Sequence, residues 1–246
     1  MEKTVQVIKD AGMVPGIWFE IENVGSASRA YHLTEHLLHK DHAVLTTYFR
    51  RFWDMQDTWV DEYLTDKVIG TLKKYGFGYM KIDYNETIGI GCDGAESPGE
   101  GLRKNMEASG SFIEKIKEVA IMKLMKTQDA VGQVLCHDIT QIIKGVTKEP
   151  KLMSVMSMAS FSDAHECEEI PIIAANLHRV IHPAQSQIWA VIRQDDSLKR
   201  IAYSISNTFL GRMCISGDVT QLAPEKWNLI EQGISFYGKI KDIIKE

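Results

Sequence analysis

The stretch YGFGYMKIDYNETIG, residues 75–89, holds a lysine and an aspartate two positions apart inside an otherwise apolar run. Charged side chains are rarely buried without a partner, so Lys81 and Asp83 need a reason to be there. Strand periodicity puts Tyr79, Lys81, Asp83 and Asn85 on one face and Met80, Ile82 and Tyr84 on the other. With helices over the apolar face, Lys81 and Asp83 point the same way, and the ammonium favours the ionised carboxylate. An anionic carboxylate at the C-terminal end of a strand suits a nucleophile or a general base. The competing reading is a structural Lys81–Asp83 pair that closes a layer of the core.

A second carboxylate, Asp163, ends the short strand-like run in SFSDAHE (160–166). Two carboxylates on different strands suggest glycoside hydrolysis, one as nucleophile and the other as acid and then base, ~5–5.5 Å apart in a retaining enzyme. Asp163 reads equally well as the N-cap of the helix that follows. Other groupings are weaker. His165, Cys167 and His178 match no common zinc spacing, and neither metal nor cofactor is expected. GIGCDG has no following Lys-Ser/Thr pair, so it is a poor phosphate loop. His32, His36, His39 and His42 read as a solvated loop, and Asp218 either lines a pocket or caps a turn.

Several elements must position these residues. A helix is expected over 3–11, and GIWFEIE (16–22) alternates, with Ile17, Phe19 and Ile21 opposite Trp18, Glu20 and Glu22. RRFWDM reads as a second strand. The helix after it has a capping-box spacing at Thr58 and Asp61, a stripe of Val60, Leu64, Val68 and Leu72, and a stop at Gly76. FGYMKIDYN is the third strand, followed by a helix over 101–119. MSMASFSD and MCISGDV read as strands; IPIIAANLHRVI, residues 198–210 and residues 225–244 read as helices. The segment 120–150 breaks this rhythm, and no barrel strand is assigned in it. Strand–loop–helix units in series indicate an α/β protein, either a (β/α) barrel or a doubly wound sheet.

The bulk properties agree with a single domain of barrel size: 246 residues, 44% hydrophobic and 25% charged. A net charge of −5 provides no electrostatic basis for binding nucleic acid or an anionic membrane. Cys92, Cys136, Cys167 and Cys214 are scattered, which predicts a reducing, cytoplasmic setting without disulfides. No signal core or membrane-length apolar run is present.

Taken in order, GMVPGIWFEIENVG, RRFWDMQDTWVDEYL, YGFGYMKIDYN, SMASFSDAHECEEIPIIAANLHRVI and TFLGRMCISGDV resemble the catalytic barrel of the melibiases, the α-galactosidases of glycoside hydrolase family 36. The resemblance implies a (β/α)8 TIM-type barrel that hydrolyses terminal α-linked galactose with retention, by double displacement with two aspartates. It assigns Asp83 as nucleophile, Asp163 as acid/base, Lys81 as a contact to sugar hydroxyls and Trp18 as a wall of the galactose pocket. Asn85 and Arg51 join the substrate contacts, with Arg50 competing for the place of Arg51. α-Galactoside oligosaccharides are the expected partners.

The sequence also departs from the pattern. The family's first two strands should precede residue 1, and the strand between the two aspartate strands is replaced around 120–148. The family's Cys-Ser/Gly-Gly run is absent there, and the flanking β domains are missing. An open barrel leaves unpaired edges, so the expectation is a partial barrel completed by a homo-oligomer or a complementing domain. The alternative is a catalytically inactive barrel fragment that serves at most as a sugar-binding or assembly module.

Overall fold

The computed structural model describes residues 1–82, 91–124, 134–138, 158–160, 168–179 and 181–245. Asp83, Asn85 and Asp163, like His165 and Cys167, lie outside the described residues. The chain divides into two compact units, one made of Met1–His137 with Glu149–Met156, the other of Asp138–Lys148 with Ser157–Glu246.

In the first unit, α1 (Glu2–Asp10) leads into β1 (Gly16–Phe19). Next come β2 (Asn23–Gly25), β3 (His39–Lys40), β4 (Ala43–Val44), β5 (Thr46–Thr47) and β6 (Arg50–Phe52). RRFWDM does supply a strand, but not one of the parallel ladder. β6 pairs antiparallel with β2 and β5; the tight turn at Tyr48–Phe49 between β5 and β6 can join only antiparallel neighbours.

The helix after β6 is α2 (Thr58–Leu64), which passes through a π-type turn at Thr65–Ile69 into α3 (Gly70–Tyr75). Val60, Leu64, Val68 and Leu72 are all buried along it, as the spacing predicts. Its cap is different from the expected one. Asp57, not Thr58, accepts the Trp59 N–H at 2.8 Å, and Asp61 instead pairs with Lys115 at 2.7 Å. Gly76 ends the helix in the left-handed region, φ 71°.

β7 (Tyr79–Ile82), α4 (Pro98–Leu124) and β8 (Val134–Asp138) follow. Parallel pairing gives the spatial order β1-β7-β8. β8 corrects the reading of 120–148 as a stretch without a strand. VLCHD mixes apolar and polar residues over five positions, so no period betrays it, yet Val134 to His137 pair in register with Tyr79 to Ile82. Ile21, Val24, Leu37, Trp53, Met80, Ile82, Phe112, Ile113 and Ile116 form the centre of this unit's core.

The second unit contains β9 (Met158–Ser160), α5 (Glu169–Leu177), β10 (Ser186–Ile192), α6 (Leu198–Thr208), β11 (Arg212–Gly217) and α7 (Pro224–Ile240). β10 runs parallel between β9 and β11. Ser197 caps α6, accepting the Arg200 N–H at 3.2 Å. Gly233 of α7 sits so close to α6 that a Cβ there would stand 2.5 Å from Ile205 Cγ2, and Ala190, Ile192, Ile201, Ile205 and Ile230 fill the space between helices and ladder. Neither ladder closes on itself among the described residues. What is described is therefore a mixed α/β fold with an open parallel sheet. The incomplete (β/α)8 barrel expected from the sequence agrees with it in being open and α/β, and a closed barrel is not seen among the described residues. No helix among the described residues is long and apolar enough to cross a membrane.

Candidate active site

The site is built on the β1–β7 ladder. Met80 and Ile82 are buried and Ile17 and Phe19 pack on the same core, so alternation turns Trp18, Tyr79 and Lys81 to the opposite face. Gly16 faces Tyr79 in the register, and a Cβ at Gly16 would lie 2.6 Å from Tyr79 Cδ1. A side chain there would displace the Tyr79 ring. Two positions on, Trp18 is the register partner of Lys81, which brings together two of the residues expected to hold sugar. Trp18 remains 52% exposed, unusual for so large an apolar ring.

Past β1 the chain folds back toward β2, and a cavity of about 360 Å³ opens there, lined by Trp18, Glu20, Asn23, Ser28, Trp53 and Tyr63. Trp53 and Tyr63 have ring centroids 5.5 Å apart, and Tyr63 stacks on Trp59 at 5.0 Å. Glu22, expected beside Trp18, is buried instead, and its carbonyl accepts the Trp53 N–H at 3.1 Å. That bond ties the β1–β2 bend to the aromatic wall.

Charge around the cavity is paired. The Glu20 carboxylate, which lines it, accepts a hydrogen bond from Arg50 Nη1. Arg51 is directed elsewhere. Its Nη1 donates to the Tyr31 carbonyl at 2.5 Å, its Nε to Thr46 Oγ1 at 3.3 Å, and its guanidinium lies 3.9 Å from the Tyr31 ring centre. Of the two arginines that compete for a substrate role, the structure therefore ties Arg51 to Tyr31 and links Arg50 to the cavity through Glu20.

The histidine loop is also more than a solvated surface. His36 stacks on Trp59 at 3.9 Å, and its Nδ1 lies 2.6 Å from Asp57 Oδ2. Burial alone would raise the Asp57 carboxyl, but the hydrogen bonds with His36 and from the Trp59 and Val60 N–H groups together hold it below the usual carboxylate range. Asp93 pins the β3–β4 turn by accepting the His42 and Asp41 N–H groups at 2.9 and 3.1 Å, where both residues have positive φ. Those bonds, the His42 one first, lower its carboxyl as well. Asp218 belongs to a turn, accepting from Gln194 and Thr220 at 3.0 Å each. Among the described residues no group of three or more His, Cys, Asp or Glu is placed to hold a metal.

Sequence reasoning missed Asn23, Trp53 and Tyr63 as pocket residues. One signal was present, a single asparagine between Ile21 and Val24 in a stretch otherwise headed for the core.

Parallel β/α units carrying a lysine strand beside an aromatic-walled cavity define the class as a mixed α/β fold. Within that class, the chain is similar to solved α-galactosidases of glycoside hydrolase family 36. One is a variant of AgaA from Geobacillus stearothermophilus bound to 1-deoxygalactonojirimycin, with TM-score 0.78 and 17% identity over 99% of this chain and 33% of that one. Another is the galactosidase domain of the α-galactosidase–sucrose kinase AgaSK, with TM-score 0.77 and 13% identity over 99% and 32%. A third is TtGalA from Thermus thermophilus in complex with stachyose, with TM-score 0.61 and 14% identity over 94% and 52%. At these identities the likeness is one of fold, and it fits a partial α-galactosidase-like domain. The chain spans about a third of the length of the first two. A family model described as a domain of unknown function (DUF8806) matches residues 124–153, the stretch that contains β8. No curated protein matches by sequence.

Proposed function

We propose that this chain is part of a (β/α)8-type catalytic barrel of a retaining α-galactosidase. The observation that carries the reading is the register pairing of Trp18 with Lys81 on the polar face of the β1–β7 ladder, within a chain whose fold matches α-galactosidases over 99% of its length. Related structures have been solved with raffinose and stachyose, which makes α-galactoside oligosaccharides the proposed substrates. Asp83, two residues beyond Lys81, is the proposed nucleophile and attacks the anomeric carbon. Asp163, protonated, donates to the leaving oxygen and then deprotonates the water that releases galactose. Lys81 and Asn85 contact the sugar hydroxyls and Trp18 walls the ring. Arg50, through Glu20, replaces Arg51 as the arginine of the site.

A second reading is a sugar-binding or assembly module without turnover of its own, and it is supported by the stretch 124–153, which matches a domain of unknown function. One experiment separates the two. Under the first reading the purified chain releases the aryl alcohol from an aryl α-galactoside, and Asp83→Ala abolishes the release. Binding of galactoside without release supports the module, and release that survives Asp83→Ala removes Asp83 as nucleophile.

A further inference from the structure

We propose that α7 is an interaction surface for a second copy of this chain, pairing antiparallel with its counterpart about a two-fold axis. The helix has two faces. Leu229, Ile230, Gly233 and Tyr237 turn inward. Ile230 is buried in the core of this unit with Leu229 against it, Gly233 sits close to Ile205 of α6, and the Tyr237 hydroxyl donates to the Gly211 carbonyl at 3.2 Å. Trp227, Glu231, Ile234, Gly238 and Lys241 are all exposed, and they recur at intervals of four, three, four and three residues. That is the 3.5-residue period of a coiled-coil seam, which keeps one stripe of a helix facing a partner helix. Lys241 has helical backbone angles, φ −55° and ψ −25°, so it continues the stripe past Ile240.

The order of residues along the seam selects the occupant. Trp227 and Ile234 are 38% and 49% exposed, large apolar side chains on the outer side of a helix already packed on its inner side. A Cβ at Gly238 would meet no atom within 4 Å among the described residues, so this position is an open notch one turn beyond Ile234. Antiparallel pairing with the axis between Ile234 and Gly238 sets each Ile234 into the partner's Gly238 and each Glu231 against the partner's Lys241. Neither Glu231 nor Lys241 has an opposite charge three or four positions away, where a pair along its own helix would form. Parallel pairing in register would oppose Glu231 to Glu231 and Lys241 to Lys241 and align the two helix dipoles, so the antiparallel sense is favoured. A two-fold contact uses the same patch on both copies, and this patch complements itself. One helix pair buries less than a standard interface, which makes the dimer weak and reversible.

Sedimentation velocity over a concentration series up to the millimolar range tests this, and the result does not depend on the galactoside site. The wild-type chain is expected to pass from monomer to dimer as concentration rises. Glu231→Lys and Lys241→Glu should each weaken that association roughly tenfold, because two attractive pairs per dimer become like-charge contacts. An equimolar mixture of the two variants should recover it, since every charged contact across a mixed dimer again joins opposite signs. Both substitutions lie on an exposed face, so the melting temperature of each variant should match that of the wild type. A wild-type chain that stays monomeric overturns the proposal and leaves the seam to a different protein segment. A dimer indifferent to both charge reversals, or one that the mixture fails to restore, overturns it as well.

Discussion

β7 and β10 hold comparable places, each an inner strand with a parallel neighbour on either side, but they are built differently. β10 reads SQIWAVI and is buried at five of seven positions, including both ends. This is the near-continuous burial expected of a parallel strand covered on two faces. β7 reads YMKI and alternates, with Met80 and Ile82 inside and Tyr79 and Lys81 half-exposed. The fold alone asks for a strand like β10. β7 instead carries a polar face, matched across the register by the exposed Trp18. The difference separates a strand that holds the ladder together from one that also presents a site.

A crossed pair of substitutions can break that comparison, and it carries the largest effects. Ile192→Ala empties a fully buried position of β10 and is expected to cost about 2–5 kcal/mol in urea unfolding. Lys81→Met should change stability by less than about 1 kcal/mol. It should nonetheless lower kcat/KM for an aryl α-galactoside by roughly 10²–10³-fold, the usual loss when one positioned donor is removed. If Lys81→Met instead unfolds the chain as Ile192→Ala does, β7 is a structural strand with an internal ion pair and the contrast fails.

The two arginines of β6 sharpen the comparison within one strand. They leave its opposite faces, Arg50 toward Glu20 and Arg51 toward Tyr31. Arg51→Leu removes two hydrogen bonds and a ring contact within the fold, so its loss, about 1–2 kcal/mol, should appear in stability with KM little changed. Arg50→Leu removes the guanidinium from the Glu20 carboxylate on the cavity wall, and its effect should appear as a several-fold rise in KM for raffinose. The reverse pattern would restore Arg51 to the substrate contacts.

The extent to which the sequence predicts this structure follows from the same physics. Alternation in GIWF and YMKI was readable because one face is buried and the other is not. The helix stripe of Val60, Leu64, Val68 and Leu72 was readable for the equivalent helical reason. β10 went unplaced although IWAVI is an apolar run between Pro183 and Asp195–Asp196, since a run without a period does not declare itself as strand or helix. β8 was hidden further, its residues neither alternating nor uniformly apolar. The antiparallel ribbon of β2, β5 and β6 could not be told from a barrel strand, because a three-residue segment carries no record of its partner's direction. The site was half legible. Trp18 and Lys81 have types and positions that suggest chemistry, whereas Asn23 and Tyr63 reach the cavity only through a bend and a helix that bring distant segments together.

The smallest effect concerns the wall behind the cavity, where Asp57 both caps α2 and meets His36. The hydrogen bonds that keep this carboxyl below its usual range exist only in the folded chain. Its ordinary unfolded value is about 3.9, so the folded state binds the proton less readily than the unfolded one. The contribution is therefore fully present above that value and is lost as pH falls through the lower, folded value. Asp57→Ala should cost about 0.5–2 kcal/mol at pH 7, the usual worth of an N-cap. The gap between wild type and variant in urea unfolding should narrow as pH falls below about 4. A gap that stays constant down to pH 3 would mean that Asp57 acts by shape rather than charge. The stack of His36, Trp59 and Tyr63 would then stand without the charge of Asp57, and the aromatic wall of the cavity would owe nothing to the carboxylate beneath it.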